Sequence, residues 1–290
     1  MKYKSINNSD EAVVGIVVTV LLIGLILAVL VMINTIYIPQ WTEGTEAAHM
    51  EEVSKQFTQL KYALDLQSIA NDSTTMSTSI VLGSREIPFF NTGRTYGSLQ
   101  IEEDSCNIIV NGNGTSNNNS YLSDSIKYSS GNSRFVDQSY IYQAGALILN
   151  QHESSIVYGM PSFIVTSWGE HISFTIINIS GISGKTFISG YGTYPIYSKC
   201  ITSETSDKTI NNVKNITVFT KYPNAWKMIF DNSLVSYIYN GINYSFNENY
   251  SDRIILEFHP IIDKEGKEYY YNLTVKEVKI SAQIAFGLVD

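Results

Sequence analysis

Charge is missing from residues 12–42, and basic charge is missing from the whole interval between Lys4 and Lys55. Cysteine is scarce too: Cys106 and Cys200 are the only two, and no C-x-x-C occurs. Two cysteines fit either one disulfide in an oxidising compartment or two unrelated buried thiols, and the bridge is the favoured reading. A basic stripe is also lacking. With a formal net charge of −8 and a pI near 5.1, the chain has no surface suited to a phosphate backbone, which argues against a nucleic-acid partner.

Catalytic signatures are equally sparse. His49, His152, His171 and His259 are scattered and form no H-E-x-x-H, and no G-x-S-x-G, Walker loop or dinucleotide fingerprint is present. Most of these histidines read as surface or loop residues. The neighbouring acids Glu102 and Glu103, and Asp263 with Glu265, could serve a glycosidase-like pair only if the fold brought them together, and "IEEDSCN" and "IIDKEGKE" read better as solvated turns. The expectation is a protein that is not an enzyme and carries no cofactor or metal.

What is present is a long apolar run. Residues 12–33 hold about 22 uncharged positions, which at about 1.5 Å per helical residue span about 33 Å, enough for the hydrocarbon core of a bilayer. A secretory signal would be shorter and would end at a small-residue cleavage site, whereas this run continues into "NTIYIPQW". Lys2 and Lys4 precede it, and Glu43, Glu46, Glu51 and Glu52 follow it, so the positive-inside bias places the N-terminus in the cytoplasm and the rest outside. Tyr37 and Trp41 fit an outer interfacial belt. Gly15, Thr19, Gly24 and Ala28 read either as a small-residue packing stripe or as residues tolerated in any spanning helix. Glu11 stands at the entrance to the run, where it would meet the positive end of the helix dipole.

Past Pro39, expected to end or kink the first helix, the period becomes helical and amphipathic. Met50, Val53, Phe57, Leu60 and Leu64 recur at steps of three and four across residues 45–68. Further on, alternating or β-branched and aromatic runs such as "HISFTIINI", "NITVFTKY" and "RIILEFHP" are bounded by turn residues and predict strands. Asn240-Gly241 predicts a two-residue hairpin, "YPNAWKMIFDNSL" a short helix opening at Pro223 with Trp226, Ile229 and Phe230 facing a sheet, and residues 111–120 a polar loop. N-x-S/T triplets, the acceptors of glycans in exported chains, occur at Asn71, Asn113, Asn118, Asn178, Asn215, Asn243, Asn249 and Asn272.

The expected organisation is a cytoplasmic leader (1–11), a transmembrane helix (12–38), an amphipathic stalk helix (39–70) and an extracellular β-rich domain (71–290). The fold class is α+β: a long N-terminal helix followed by a mainly antiparallel, sandwich-like ectodomain. "DEAVVGIVVTVLLIGLILAVL", the amphipathic helix after it, and "YQAGALIL", "YGMPSFIV" and "YPNAWKMIF" together resemble archaeal type IV pilin-like surface proteins. The resemblance implies cleavage of the leader near Asp10 or Glu11 by a prepilin peptidase. It also implies helices that either bundle in a filament or hold a subunit in the membrane. Ser9 and Asp10 stand where such leaders usually carry Gly or Ala, and the ectodomain exceeds that of a small pilin. A minor or accessory filament component, structural or adhesive, is therefore expected. The alternative is a non-polymerising single-pass surface protein whose domain binds a glycan, a protein partner or the cell's surface layer. Expected partners are membrane lipid, other pilin-like subunits through the N-terminal helix, and a surface glycan or protein ligand.

Overall fold

The computed structural model describes residues 7–84, 95–112, 119–152, 154–166, 171–201, 206–235, 242–262 and 268–284, with side chains from Val13 onward. The Asn240-Gly241 hairpin and the sequons at Asn113 and Asn118 lie outside the described residues, as do Asp263 and Glu265.

One helical rod opens the chain: α1 (Asn7–Met32), a π-helical turn (Ile33–Tyr37) and α2 (Ile38–Ala70). Of the two outcomes expected at Pro39, an end or a kink, the end does not occur: helix resumes directly after a π-helical turn. Proline lacks an N–H and its ring crowds the carbonyl four residues earlier. The chain widens just before it, with the Ile38 N–H reaching back to the Ile33 carbonyl, and helix continues on the far side. A π turn of this kind accommodates an inserted irregularity without ending the helix. The rod stops at Asn71, which adopts the left-handed conformation (φ 49°) and returns its N–H to the Gln67 carbonyl.

The strands are β1 (Met76–Val81), β2 (Tyr96–Gly112), β3 (Asn119–Gly131), β4 (Gln138–Gln143), β5 (Ala146–Gln151), β6 (Ser154–Gly159), β7 (Phe163–Val165) and β8 (His171–Gly181). Beyond them come β9 (Phe187–Gly190), β10 (Thr193–Cys200), β11 (Ser206–Thr220), helix α3 (Pro223–Leu234), β12 (Tyr244–Asn247), β13 (Arg253–Phe258), β14 (Ile261–Ile262), β15 (Glu268–Tyr269) and β16 (Tyr271–Ile284). Among the described residues fourteen strands join one hydrogen-bonded sheet, while β14 and β15 pair alone. Pairing is mainly antiparallel; β8 and β16 run parallel, from Asn272 opposite His171 to Ala282 opposite Gly181. The fold is α+β, a long N-terminal helix followed by a large sheet domain.

Two corrections to the turn assignments follow from β2 and β3. "IEEDSCN" is not a turn but the middle of β2, where the register against β3 shifts between Glu102 and Cys106 and Asp104 takes φ 48°; a β-bulge lets a strand change course without ending. Asn111 and Gly112 close β2 and Asn119 and Ser120 open β3, so both ends of the stretch expected as a polar loop are strand; residues 113–118 lie outside the described residues.

The bulge has a consequence for packing. Leu99 and Ile101 enter one core while Cys106, Ile108 and Val110 enter another. β8 makes the same exchange between Ile176 and Ile177, and β16 between Val275 and Val278. Alternate residues face opposite sides of a strand, so a slip of phase swaps the buried face. The β4–β5 hairpin is buried on both sides: Tyr140, Tyr142, Leu147 and Leu149 serve one core, and Ile141, Ala144, Ala146 and Ile148 the other. α3 caps the first core with Trp226, Ile229, Phe230 and Leu234; α2 supplies the second with Met50, Val53, Phe57, Leu60 and Leu64.

Candidate functional site

The rod is divided by its surroundings. From Val13 to Met32 every large apolar side chain is between 46 % and 68 % exposed, whichever way it points. The helix is long and apolar enough to cross a bilayer. Its polar side chains turn back on the rod: Thr19 Oγ1 donates to the Gly15 carbonyl (2.8 Å), Asn34 Nδ2 to Leu30 (2.9 Å) and Thr35 Oγ1 to Val31 (2.8 Å). Such back-bonding satisfies polar groups without water, as an apolar medium requires. Tyr37 and Trp41, with ring centroids 6.3 Å apart, end this exposed portion, and Thr42 is the first buried residue of the described rod.

The grip of the sheet domain on α2 is polar at both ends and apolar between. At the near end Glu46 is wholly buried, and its carboxylate accepts from the Ser133 N–H (3.0 Å) and hydroxyl (2.8 Å), the Arg134 N–H (2.8 Å) and the Phe135 N–H (2.6 Å). Burial alone would raise its pKa, but the hydrogen bonds from Phe135, Ser133 and Arg134 outweigh it and the pKa is lowered. One turn on, His49 Nε2 lies 3.1 Å from Tyr128 Oη and 3.3 Å from the Leu82 carbonyl. Burial lowers the pKa of this imidazole against weaker opposing effects of Leu82 and Glu52. At the far end Gln67 Nε2 donates to the Thr74 and Ser198 carbonyls, each at 3.0 Å, and its Oε1 accepts from Ser198 Oγ (2.8 Å). Between these points the five apolar residues are at most 2 % exposed, worth about 1.5–3 kcal/mol of transfer free energy for each large one.

Several site expectations need correction. Gly24 follows Gly15 by nine residues, a rotation of about 180° at about 100° per residue. Gly15 and Thr19 therefore lie on one side of α1 and Gly24 and Ala28 on the other, and the four form no single stripe. Helix already includes Asn7, so in the uncleaved chain Glu11 is not the first helical residue. No bridge joins the cysteines: Cys106 is buried in one core and Cys200 in the other, with Cys200 Sγ 3.7 Å from Asn71 Oδ1. His49 is not a surface residue.

The six described sequons divide by exposure. Asn71, Asn243 and Asn249 are exposed. The other three are half-buried and occupied: Asn178 Nδ2 donates to Glu277 (2.9 Å), Asn215 Oδ1 accepts from Asn111 (2.7 Å) and Asn272 Oδ1 accepts from the Asn212 N–H (3.2 Å).

The remaining clefts show no assembled chemistry. His152, in the left-handed region at φ 53°, shares a cleft with Asn150, Ser155, Lys221 and Tyr250, where Ser155 Oγ donates to Asn150 Oδ1 (2.8 Å). Glu102 is held by Lys127 (3.2 Å) and Lys221 (3.5 Å). Among the described residues no three His, Cys, Asp or Glu side chains are placed to hold a metal ion. No protein-family model matches the chain, and no curated protein or solved structure matches it significantly.

Proposed function

We propose that this chain is a single-pass surface protein of pilin-like plan, held in the membrane by the rod from Val13 to Tyr37 and presenting its sheet domain on the outer side. The supporting observation is the division of one continuous helix: all-round apolar exposure with self-satisfied polar groups up to Tyr37, then a one-sided polar and apolar grip from Thr42. A helix that is apolar on every face must be surrounded by lipid or by its like. The lysines before the rod and the acids after it give the direction.

The role is structural or adhesive rather than catalytic. A second reading, entry of the stem into an extracellular filament through packing against other pilin-like subunits, is favoured by the resemblance of its sequence and by a stem that projects free of its own domain. N-terminal mass spectrometry separates the two, run on sheared filaments and on membranes. A cleaved N-terminus near Asp10 or Glu11 in the filament fraction establishes polymerisation. Recovery in membranes alone, with an intact leader, establishes the simple anchor. Recovery as a soluble protein without membrane association contradicts both.

A further inference from the structure

We propose that the stem end of the sheet domain is itself a lipid-binding face, resting on the headgroups of the outer leaflet through Tyr96, Arg134 and Tyr191. This rests on the membrane-anchor reading above and adds a second contact to it.

Six strands bring their ends together where the stem enters. Val81 of β1 pairs with Thr193 of β10, Gly190 of β9 with Gly97 of β2, Tyr96 of β2 with Gly131 of β3, and Gln138 opens β4 directly after the β3–β4 turn. This end is tied to the beginning of α2 by the Glu46 contacts with residues 133–135 and the His49 contact with Leu82. Tyr96, Arg134 and Tyr191 are all exposed there, with the tyrosines 57 % and 50 % so. Gly83, beside Tyr191, lines an open cleft with Thr45 and His49.

The level along the rod is what points to lipid. Trp41 precedes Glu46 by five residues, about 7.5 Å of rise. The headgroup region extends roughly 5–8 Å beyond the hydrocarbon on each side. With Tyr37 and Trp41 at the interface, the β3–β4 turn held by Glu46 lies at headgroup depth; Tyr96 pairs with Gly131 where that turn begins, and Tyr191 lies against Gly83 next to the strand ends. Tyrosine is suited to this layer because its ring is apolar and its hydroxyl wet, and an arginine there meets lipid phosphate. Glu43 and Asp137 are exposed at the same end as Arg134, and Glu52 lines the cleft with Gly83, so the contact rests on the aromatic rings more than on net charge and zwitterionic lipid suffices.

The test uses the full chain reconstituted in phosphatidylcholine vesicles containing a headgroup-quenching lipid. One fluorophore at a time is attached at Arg134→Cys, Tyr191→Cys, Leu22→Cys or Asn211→Cys. Cys106 and Cys200 are each 1 % exposed and stay unlabelled in the folded protein. Asn211 is the distal control, at the opposite end of β2, where Gly112 pairs with Val213. Headgroup quenching at positions 134 and 191 several-fold above that at 211 is the expected result. Quenching equal to that at 211, while Leu22 is quenched by a chain-labelled lipid, overturns this inference and leaves the anchor standing. An unquenched label at Leu22 overturns the anchor itself. Self-quenching at 134 that rises with protein density, without headgroup quenching, would assign the face to a second copy and also overturns the inference.

Discussion

The Glu46 carboxylate accepts the backbone N–H of Phe135 at 2.6 Å across 89 positions of sequence, and with Ser133 and Arg134 it forms the closure between rod and domain. Replacing it with alanine leaves three backbone donors and a hydroxyl without their acceptor. An orphaned buried donor costs about 1–3 kcal/mol, and water entering the site recovers part of that. Glu46→Ala is therefore expected to cost about 3 kcal/mol in detergent-solubilised protein, with Glu46→Gln costing less, as read by denaturant unfolding. Equal stability of Glu46→Ala and the unaltered chain would show that the closure contributes nothing.

Acid should loosen the same junction in two stages. His49 has a lowered pKa in the folded state, so the unfolded chain takes up its proton first; its stabilising effect is complete above its ordinary value of 6.5 and fades as pH falls below it. Glu46 is also lowered, so its contribution is complete above about 4.5 and is lost on further acidification. Stability measured between pH 8 and 3 should decline first below about 6.5 and again below about 4.5. His49→Gln should abolish the upper stage and leave the lower one.

Gln143 is fully buried and ties β4 to β2, β3, β11 and α3. Its Oε1 accepts from Thr220 Oγ1 and Trp226 Nε1, each at 2.8 Å, while Nε2 donates to Ser125 Oγ (3.0 Å) and the Ser105 carbonyl (3.2 Å). Gln143→Leu keeps the volume and removes all four bonds, for an expected loss of about 2–4 kcal/mol. Trp226 fluorescence during thermal unfolding reports it, and a loss below about 0.5 kcal/mol would show that these groups find other partners.

How much of this was legible depends on the range of the interaction. The α2 stripe of Met50, Val53, Phe57, Leu60 and Leu64 is a local repeat, and it packs as its period implies. The helix from Pro223, with Trp226, Ile229 and Phe230 inward, is local too. The phase slips were visible in principle: "Ile176-Ile177" breaks a strict alternation, and that break marks the change of core. Glu46 gave no local sign, because a glutamate beside Thr45 and Ala47 looks solvated and its partners lie in a distant turn. The same reason hid the parallel β8–β16 pairing and the separation of Cys106 from Cys200. Pro39 signalled the irregularity correctly, but not that a π turn before it would let the helix continue.

The cysteines give a direct chemical prediction. Native protein without reductant should show no internal bridge by mass spectrometry and should resist alkylation, since both side chains are 1 % exposed and burial pushes the Cys106 thiol well above its usual pKa. After denaturation without reductant, both thiols should alkylate. A mass two hydrogens short and unreactive to alkylation would establish the bridge.

Glycan occupancy should follow exposure. Glycopeptide mapping of the native protein is expected to find modification at Asn71, Asn243 or Asn249, and none at Asn178, Asn215 and Asn272, whose amides are held in the sheet. Full occupancy at Asn178 would require the Glu277 contact to open.

The most direct test is protease treatment of intact cells followed by alkaline extraction of their membranes. The predicted result is a sheet domain cleaved from outside, with a short N-terminal fragment holding residues 13–37 left in the carbonate-resistant pellet. Full-length protein released by carbonate, or untouched by protease until the cells are broken, would contradict an outward domain on a lipid-held stem.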